Sequence, residues 1–427
     1  MIKGNSTRHV SPPRSPHDFR PESPRWLHLI LLVVGMVAWM IFILACVGGP
    51  AWSPDGSQIL FAYRDVENSR TAVALYDRAT RTTSTILAQP AAKEGELILE
   101  PQWQKDGTRA FIAIYQPVPG SSDDGSCEVI SIPVKSGMPL QAYALGTTEG
   151  CVGPFPQLDG KVFFGGKDLR WIDLATGEIG SNAIPDEIGS ISEHDGQLFY
   201  LREVSRSVGS TEDKKSVEDG KEFGRIDLKD FSLKPAFSLW KSDMTALDIT
   251  GDLSPVFWET GGSRMAMIGQ GGDSDKILLL EEGKGIVRVL PPDLGVKSFL
   301  LGNLVWSRDG KTLYAAAMTK GEQEKTQQYW LAEIPVAGIP GRLTKIAPIQ
   351  EEMSDDLEAY FRNSMQVSLS PDGSLIAATP AVLGKNTLAE RDRALFLIDV
   401  RDPARPITRI PISNPSAAAP PAAKTRK

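Results

Sequence analysis

Residues 52–63 read WSPDGSQILFAY. Ser53, Pro54, Asp55 and Gly56 have the chemistry of a type I turn followed by a bulge: Ser opens it, Pro presets φ, Asp takes the third position, and Gly accepts positive φ. Such a turn joins antiparallel strands. The flanks agree, since Pro50, Ala51 and Trp52 precede it and the β-prone Ile59, Leu60, Phe61, Ala62 and Tyr63 follow. The stretch predicts a hairpin.

The arrangement returns as WQKDGTRAFIAIY around Asp106-Gly107, PQLDGKVFF around Asp159-Gly160 and SEHDGQLFYL around Asp195-Gly196. It returns again as WETGGSRMAMI around Gly261-Gly262, WSRDGKTLYAAA around Asp309-Gly310 and LSPDGSLIAA around Asp372-Gly373. Every copy can supply a left-handed turn residue. Trp52, Trp103, Trp258 and Trp306 all stand three residues before the third turn position, where the other copies have Pro156, Ser192 and Leu369. One aromatic per repeat at a fixed offset is expected to pack one repeat against the next.

A second strand pair follows each hairpin. Third strands are expected at residues 71–77, 127–133, 169–174, 224–228, 276–282, 328–335 and 394–400, each leading through a polar turn into a fourth strand such as TTSTIL or ITRIPI. A four-stranded meander repeating every 40 to 50 residues or so is the pattern of a β-propeller blade. One blade cannot bury both its faces, so radial packing and ring closure are required. The expected fold is all-β, a single propeller over residues 50–412 with seven blades. Six blades and a degenerate segment is the alternative, because copy three is short and copy four lacks the aromatic.

The motif WSPDG, followed by an apolar strand and a further strand ending in Asp, resembles the TolB-like or WD40-like propeller repeat, often called PD40. The resemblance covers residues 50–412 and is strongest at residues 52–61, 306–314 and 370–377. It implies the propeller fold, and a role like that of the periplasmic interaction proteins or peptidase-attached propellers of this broad group. Unlike TolB, the chain is expected to carry no α/β domain before the propeller.

The chain has 427 residues with 39 Gly and 31 Pro, so turns are frequent. Its formal charge is −7, and the basic tails make the propeller segment more acidic still, which provides no counter-charge for a phosphate backbone. Nucleic acid is excluded as a partner on that ground. A basic partner or a cation is favoured. Three cysteines occur. Cys127 and Cys151 are either a disulfide, given an oxidising compartment, or two buried thiols.

Residues 26–49, WLHLILLVVGMVAWMIFILACVGG, contain no Asp, Glu, Lys or Arg, and a helix of this length spans the roughly 30 Å hydrocarbon core. One transmembrane crossing is expected, with Trp26 and His28 among the headgroups. The tail before it, residues 1–25, carries Lys3, Arg8, Arg14, Arg20 and Arg25 against Asp18 and Glu22. The positive-inside rule keeps that tail cytoplasmic and puts the propeller outside. Ile43-Leu44-Ala45-Cys46 also looks like a lipobox, in which case Cys46 would be a lipidated N-terminus. Residues 413–427, rich in Pro and Ala, are expected to be disordered.

No sequence motif for catalysis or a cofactor emerges. His194 is the one histidine outside the tail and the apolar run, and it is expected in a turn beside Asp195, so a Ser-His-Asp triad lacks its base. No HExxH, paired CxxC, P-loop or dinucleotide fingerprint occurs, and GGDSDK and SSDDGS lack the spacing of an EF-hand. Neither metal nor cofactor is expected. A peptidase of the prolyl oligopeptidase type would need a hydrolase domain after the propeller, and none is expected.

Carboxylates remain. Loops between second and third strands hold Asp65, Glu67, Asp123, Asp124, Asp273, Asp275, Glu322 and Glu324, and in a meander these loops share one rim with the blade-to-blade connections. Two insertions belong to the same rim: VSRSVGSTEDKKSVEDGKE in blade four, and APIQEEMSDDLEAYFRNSMQ before blade seven, where Ser354, Leu357, Phe361 and Met365 suggest a short helix. The sequence therefore predicts a membrane-anchored, non-enzymatic scaffold that engages an unknown protein or peptide through an acidic rim. The alternative is a carbohydrate-active or hydrolytic enzyme with paired carboxylates at the central channel.

Overall fold

The computed structural model describes residues 49–411 except 66–69, 89–96, 99–100, 118–124, 135–140, 149–154, 167, 185–186, 212–213, 252, 273, 291–292, 296–299, 321–326, 339, 350–364 and 381–393. The predicted membrane span, the lipobox Cys46, Cys151 and the helix expected from Ser354 onward lie outside the described residues or at their margin. Among the described residues no helix is long and apolar enough to cross a membrane.

Seven antiparallel sheets follow one another along the chain, and each is built from consecutive strands. Blade one is Ala51–Trp52, Gln58–Asp65, Arg70–Asp77 and Thr82–Ala88. In blade two the innermost strand is broken: Leu97–Ile98 and Gln102–Trp103 pair with opposite halves of Arg109–Pro117. Blade three, the short copy, is a complete sheet of Gln157–Leu158, Lys161–Phe164, Asp168–Asp173 and Ile179–Ala183. Six blades with a remnant is thus replaced by seven.

Why these residues make blades is clearest at Ile59, Leu60 and Phe61, three consecutive side chains that are all fully buried. Successive strand residues point to opposite faces, so a sheet facing water on one side would alternate apolar with polar. Here both faces are covered. Ile59 and Phe61 join a core with Ala377, Leu395 and Leu397 of blade seven, while Leu60 joins Ala110, Ile112 and Ile130 of blade two. The first of these cores also closes the ring. Among the described residues no strand is exchanged between blades one and seven, and their contact is made by that apolar core and by the Trp52 indole, whose N–H donates to the Ser368 carbonyl at 3.1 Å.

The insertion in blade four is not a loop. It extends the second and third strands of that blade to Gln197–Thr211 and Lys214–Asp227, paired continuously from Leu198↔Ile226 to Ser207↔Val217 and again at Thr211↔Lys214. Charged pairs that face each other across the two strands, Arg202 with Glu222 and Arg206 with Glu218, let the ladder run on past its neighbours. A six-residue helix, Lys241–Ala246, follows the fourth strand, Ser232–Trp240, in the connection to blade five. The sequence pattern predicts no element there.

Candidate functional site

The repeated turns lie on one rim, together with the turns between third and fourth strands. In blade one, Asp55 Oδ1 accepts the Ser53 hydroxyl at 2.6 Å and the Ser57 N–H at 3.0 Å, and the Gln58 N–H donates to Ser53 Oγ at 2.9 Å. Blades six and seven repeat the lattice with Ser307 and Asp309, and with Ser370 and Asp372. These hydrogen bonds favour the ionised form: the Ser53 hydroxyl, ahead of the Ser57 amide, holds Asp55 at about 2. Asp309 and Asp372 are lowered as well, each led by its serine hydroxyl.

Blades three and four differ. Asp159 and Gly160 both have positive φ, 50° and 72°, as do Asp195 and Gly196, 47° and 72°. These are two-residue turns of the primed kind, where the sequence reading expected type I with a bulge. In blade five the positive φ falls on Gly261, the third turn position, rather than the fourth.

Behind the turns, the tryptophans do what a packing role requires. Each indole N–H reaches back to the innermost strand of the preceding blade: Trp103 to the Ala51 carbonyl at 2.9 Å, Trp258 to Ser192 Oγ at 3.1 Å, Trp306 to the Phe257 carbonyl at 2.9 Å. In blade three Gln157 takes over, its amide donating to the Trp103 carbonyl at 2.7 Å. His194 ends the first strand of blade four, Ser190–His194, instead of sitting in the turn. It stacks on Trp258 with centroids 4.2 Å apart, and its Nε2 meets the Gly262 carbonyl at 2.6 Å, which requires the proton on Nε2. That nitrogen is therefore a donor joining two blades and cannot act as the base of a triad.

The innermost strands of blades two to seven enclose a cavity of about 730 Å³, the turn-side mouth of the central channel. Its charged lining residues are Lys105, Glu193 and Arg308. Glu193 faces Lys105 at 3.6 Å, and Arg308 lies 3.3 Å from the Pro371 carbonyl. Among the described residues lining the cavity there is one carboxylate. No group of three or more His, Cys, Asp or Glu among the described residues is placed to hold a metal.

The opposite rim is the one to which the sequence pattern assigns the acidic loops. Asp65 ends the second strand of blade one, its backbone paired with Arg70. Glu67, Asp123, Asp124, Asp273, Glu322 and Glu324 lie outside the described residues. Cys127 pairs through its backbone with Tyr115 in blade two. Asp275 departs from the expectation. It is 2 % exposed, and its Oδ2 accepts the Leu301 N–H of blade six at 2.7 Å. A strand edge in the next blade needed an acceptor, so this carboxylate turned inward and fastens blades five and six.

The described part of this rim is dominated by the blade four arm, which sequence reasoning had not recognised as strand. At its base the Tyr200 hydroxyl donates to Glu222 Oε1 at 2.8 Å, and Arg202 Nε donates to the same oxygen at 2.8 Å. Burial, then the hydrogen bond to Glu222, pushes the Tyr200 phenol well above its ordinary range. Further out, Arg206 pairs with Glu218 at 2.8 Å, Lys221 with Glu203 at 2.6 Å, and Ser205 with Asp219 at 2.8 Å. Glu218 also accepts the Ser242 N–H at 2.8 Å, and the contacts with Ser242, ahead of Arg206, hold it at about 2. A signal for this arm does exist in the sequence: Arg202 and Arg206 on one side of the reversal, Glu218 and Glu222 at the same spacing on the other.

No family model matches the chain, and no curated protein matches it in sequence. Among solved structures it is similar to the propeller domain of the Trilobed protease from Pyrococcus furiosus, at 12 % identity over 88 % of this chain and 98 % of that one, TM-score 0.46. It is also similar to a putative 6-phosphogluconolactonase from Bacteroides fragilis, at 13 % identity over 83 % and 93 %, TM-score 0.40. A chain of a mitotic checkpoint complex matches at 16 % identity over 78 % and 84 %, TM-score 0.45. The chain is a seven-bladed β-propeller. That statement rests on its own strand pairing.

Proposed function

We propose that this propeller is a membrane-anchored, extracytoplasmic scaffold that binds a protein or peptide and catalyses no reaction. The observation that carries the reading is the channel mouth, where the lining carboxylate, Glu193, is opposed by Lys105. Hydrolysis by paired acids needs two carboxylates roughly 5–9 Å apart, so this lining favours binding over the carbohydrate-active alternative. The apolar run at residues 26–49 and the basic tail before it support an anchor with the propeller outside the cytoplasm. The acidity of the propeller segment supports a basic partner and argues against nucleic acid. The TolB-like repeat supports the same class of role.

Crosslinking from the extracytoplasmic face of intact cells, followed by mass spectrometry, tests the proposal. A reproducible crosslinked protein is the expected result; recovery of lipid alone would refute it.

A further inference from the structure

The blade four arm has two edges, and the fold treats them differently. Along one, the helix Lys241–Ala246 folds against the base: Ser242 donates to Glu218, and the Arg206 guanidinium lies 4.2 Å from the centre of the Trp240 ring. Along the other, the first strand of the blade stops at Ser190↔Leu201, and the Gly189 N–H makes the last contact, to the Leu201 carbonyl at 3.0 Å. Beyond that point, among the described residues, no strand pairs with residues 203–207 on the side away from Lys214–Asp227. Backbone polar groups alternate in direction along a strand, so Glu203, Ser205 and Ser207, in phase with Leu201, turn their N–H and C=O groups outward. An open edge of this kind is a template for another strand. Cross-strand pairs on both faces, Arg202 with Glu222 and Glu203 with Lys221, hold it preformed.

We propose that residues 203–207 are a docking edge that takes an extended, basic segment of a partner protein as an added β-strand. The proposal rests on the scaffold reading and names the chemistry of its partner. Main-chain hydrogen bonds to Glu203, Ser205 and Ser207 supply the attachment, and side chains on alternate positions supply selectivity. Charge selects the guest. On the face that carries Glu203 an added strand borders Glu203, whose side chain is 82 % exposed, with Asp219 one strand further in on Ser205, against one cation, Lys221, whose side chain is 15 % exposed. On the other face Arg202 and Arg206 are already neutralised by Glu222 and Glu218. A lysine or arginine on the added strand is therefore favoured and a carboxylate is not.

The test measures binding of a labelled peptide of alternating threonine and lysine to the full chain by fluorescence anisotropy, with an alternating threonine and glutamate peptide beside it. The lysine peptide is expected to bind and the glutamate peptide to bind at least about tenfold more weakly. Ser207→Pro removes one outward N–H and leaves the inner ladder intact, as edge positions tolerate, and is expected to weaken the lysine peptide about tenfold. Glu203→Gln lowers its affinity several-fold and decides the matter even if the proline variant misfolds. Equal affinity for the two peptides, no loss in either variant, or no binding to the unmodified chain overturns the proposal. So does a concentration-dependent dimer abolished by Ser207→Pro, which would assign the edge to a second copy. A crosslinked partner recovered equally from the unmodified chain and the proline variant sinks the docking edge alone, whereas recovery of no protein from either sinks the scaffold reading itself.

Discussion

Blades one, six and seven close their inner hairpins on a serine and an aspartate that hold the loop from within, whereas blades three and four close theirs on two consecutive left-handed residues. The Asp-Gly pair is common to both groups, yet Asp55 is an acceptor at ordinary φ and Asp159 is itself a turn residue at φ 50°. Both solutions keep the same register. Trp52 faces Ile59 in blade one and Ser192 faces Phe199 in blade four, so the slot residue meets the residue seven positions on in either case. A wide loop and a tight turn with extra ladder pairs are therefore interchangeable, provided the innermost strand still delivers its slot residue to the neighbouring blade. What differs is the load that residue carries: an indole packed across the blade boundary in blades one, two, five and six, and a small acceptor in blade four.

The largest effect should come from that load. Trp306, 3 % exposed, fills the core between blades five and six, and Trp306→Ala is expected to cost about 3–5 kcal/mol, read as a lower urea midpoint. In the same slot of blade four, Ser192→Ala removes only the acceptor of the Trp258 N–H and should cost about 1 kcal/mol. Equal losses would dissolve the distinction between the two groups.

Next in size is Glu222 at the base of the arm. Glu222→Ala leaves Arg202 and the Tyr200 hydroxyl without their shared acceptor and is expected to cost about 3 kcal/mol, while Tyr200→Phe costs about 1 kcal/mol in the same denaturation experiment.

A smaller pair of changes separates the two turns directly. Asp55→Gly discards the contacts to Ser53 and Ser57 and should destabilise by about 1 kcal/mol. Asp159→Gly relieves a non-glycine residue at positive φ and should be neutral or stabilising by a few tenths of a kcal/mol. Thermal unfolding of the two variants side by side would show a loss for the first and none for the second.

The smallest effect is set by pH. The Asp55 carboxyl lies at about 2 in the folded chain, below an unfolded value of about 3.9. A depressed carboxylate contributes stability that is present above the unfolded value and lost as pH falls through the folded one. The Ser-Asp lattice should therefore weaken between about pH 4 and pH 2. Replacing Ser53 by alanine should raise the Asp55 titration midpoint seen by NMR, replacing Ser370 should raise that of Asp372, and both should flatten the fall of stability in that window. An unchanged midpoint would mean that the serine hydroxyls do not set it.

Much of the fold was legible because its causes are local and repeated. Gly56, Gly107, Gly310 and Gly373 declare positive φ, and the apolar run after each turn declares a strand covered on both faces. The short third copy was ambiguous for a physical reason: Lys161–Phe164 is a marginal strand by length and becomes a blade only between two neighbours. Asp275 misled because a carboxylate in a loop looks the same whether it faces water or an amide on the next blade. The arm was hidden because its partners lie on either side of a reversal, and periodicity within one window does not register a match between Arg206 and Glu218.

The amino-acid sequence by itself determined the place of each turn and the identity of the packing aromatic, since both follow from φ preferences and side-chain volume at fixed spacing. Only the tertiary structure decided that the short third copy is a blade, which turns are wide and which are tight, that blades one and seven meet through packing with no shared strand among the described residues, and that His194 joins two blades. These outcomes depend on which backbone groups find partners on other blades, and that is settled by contacts between residues far apart in the chain.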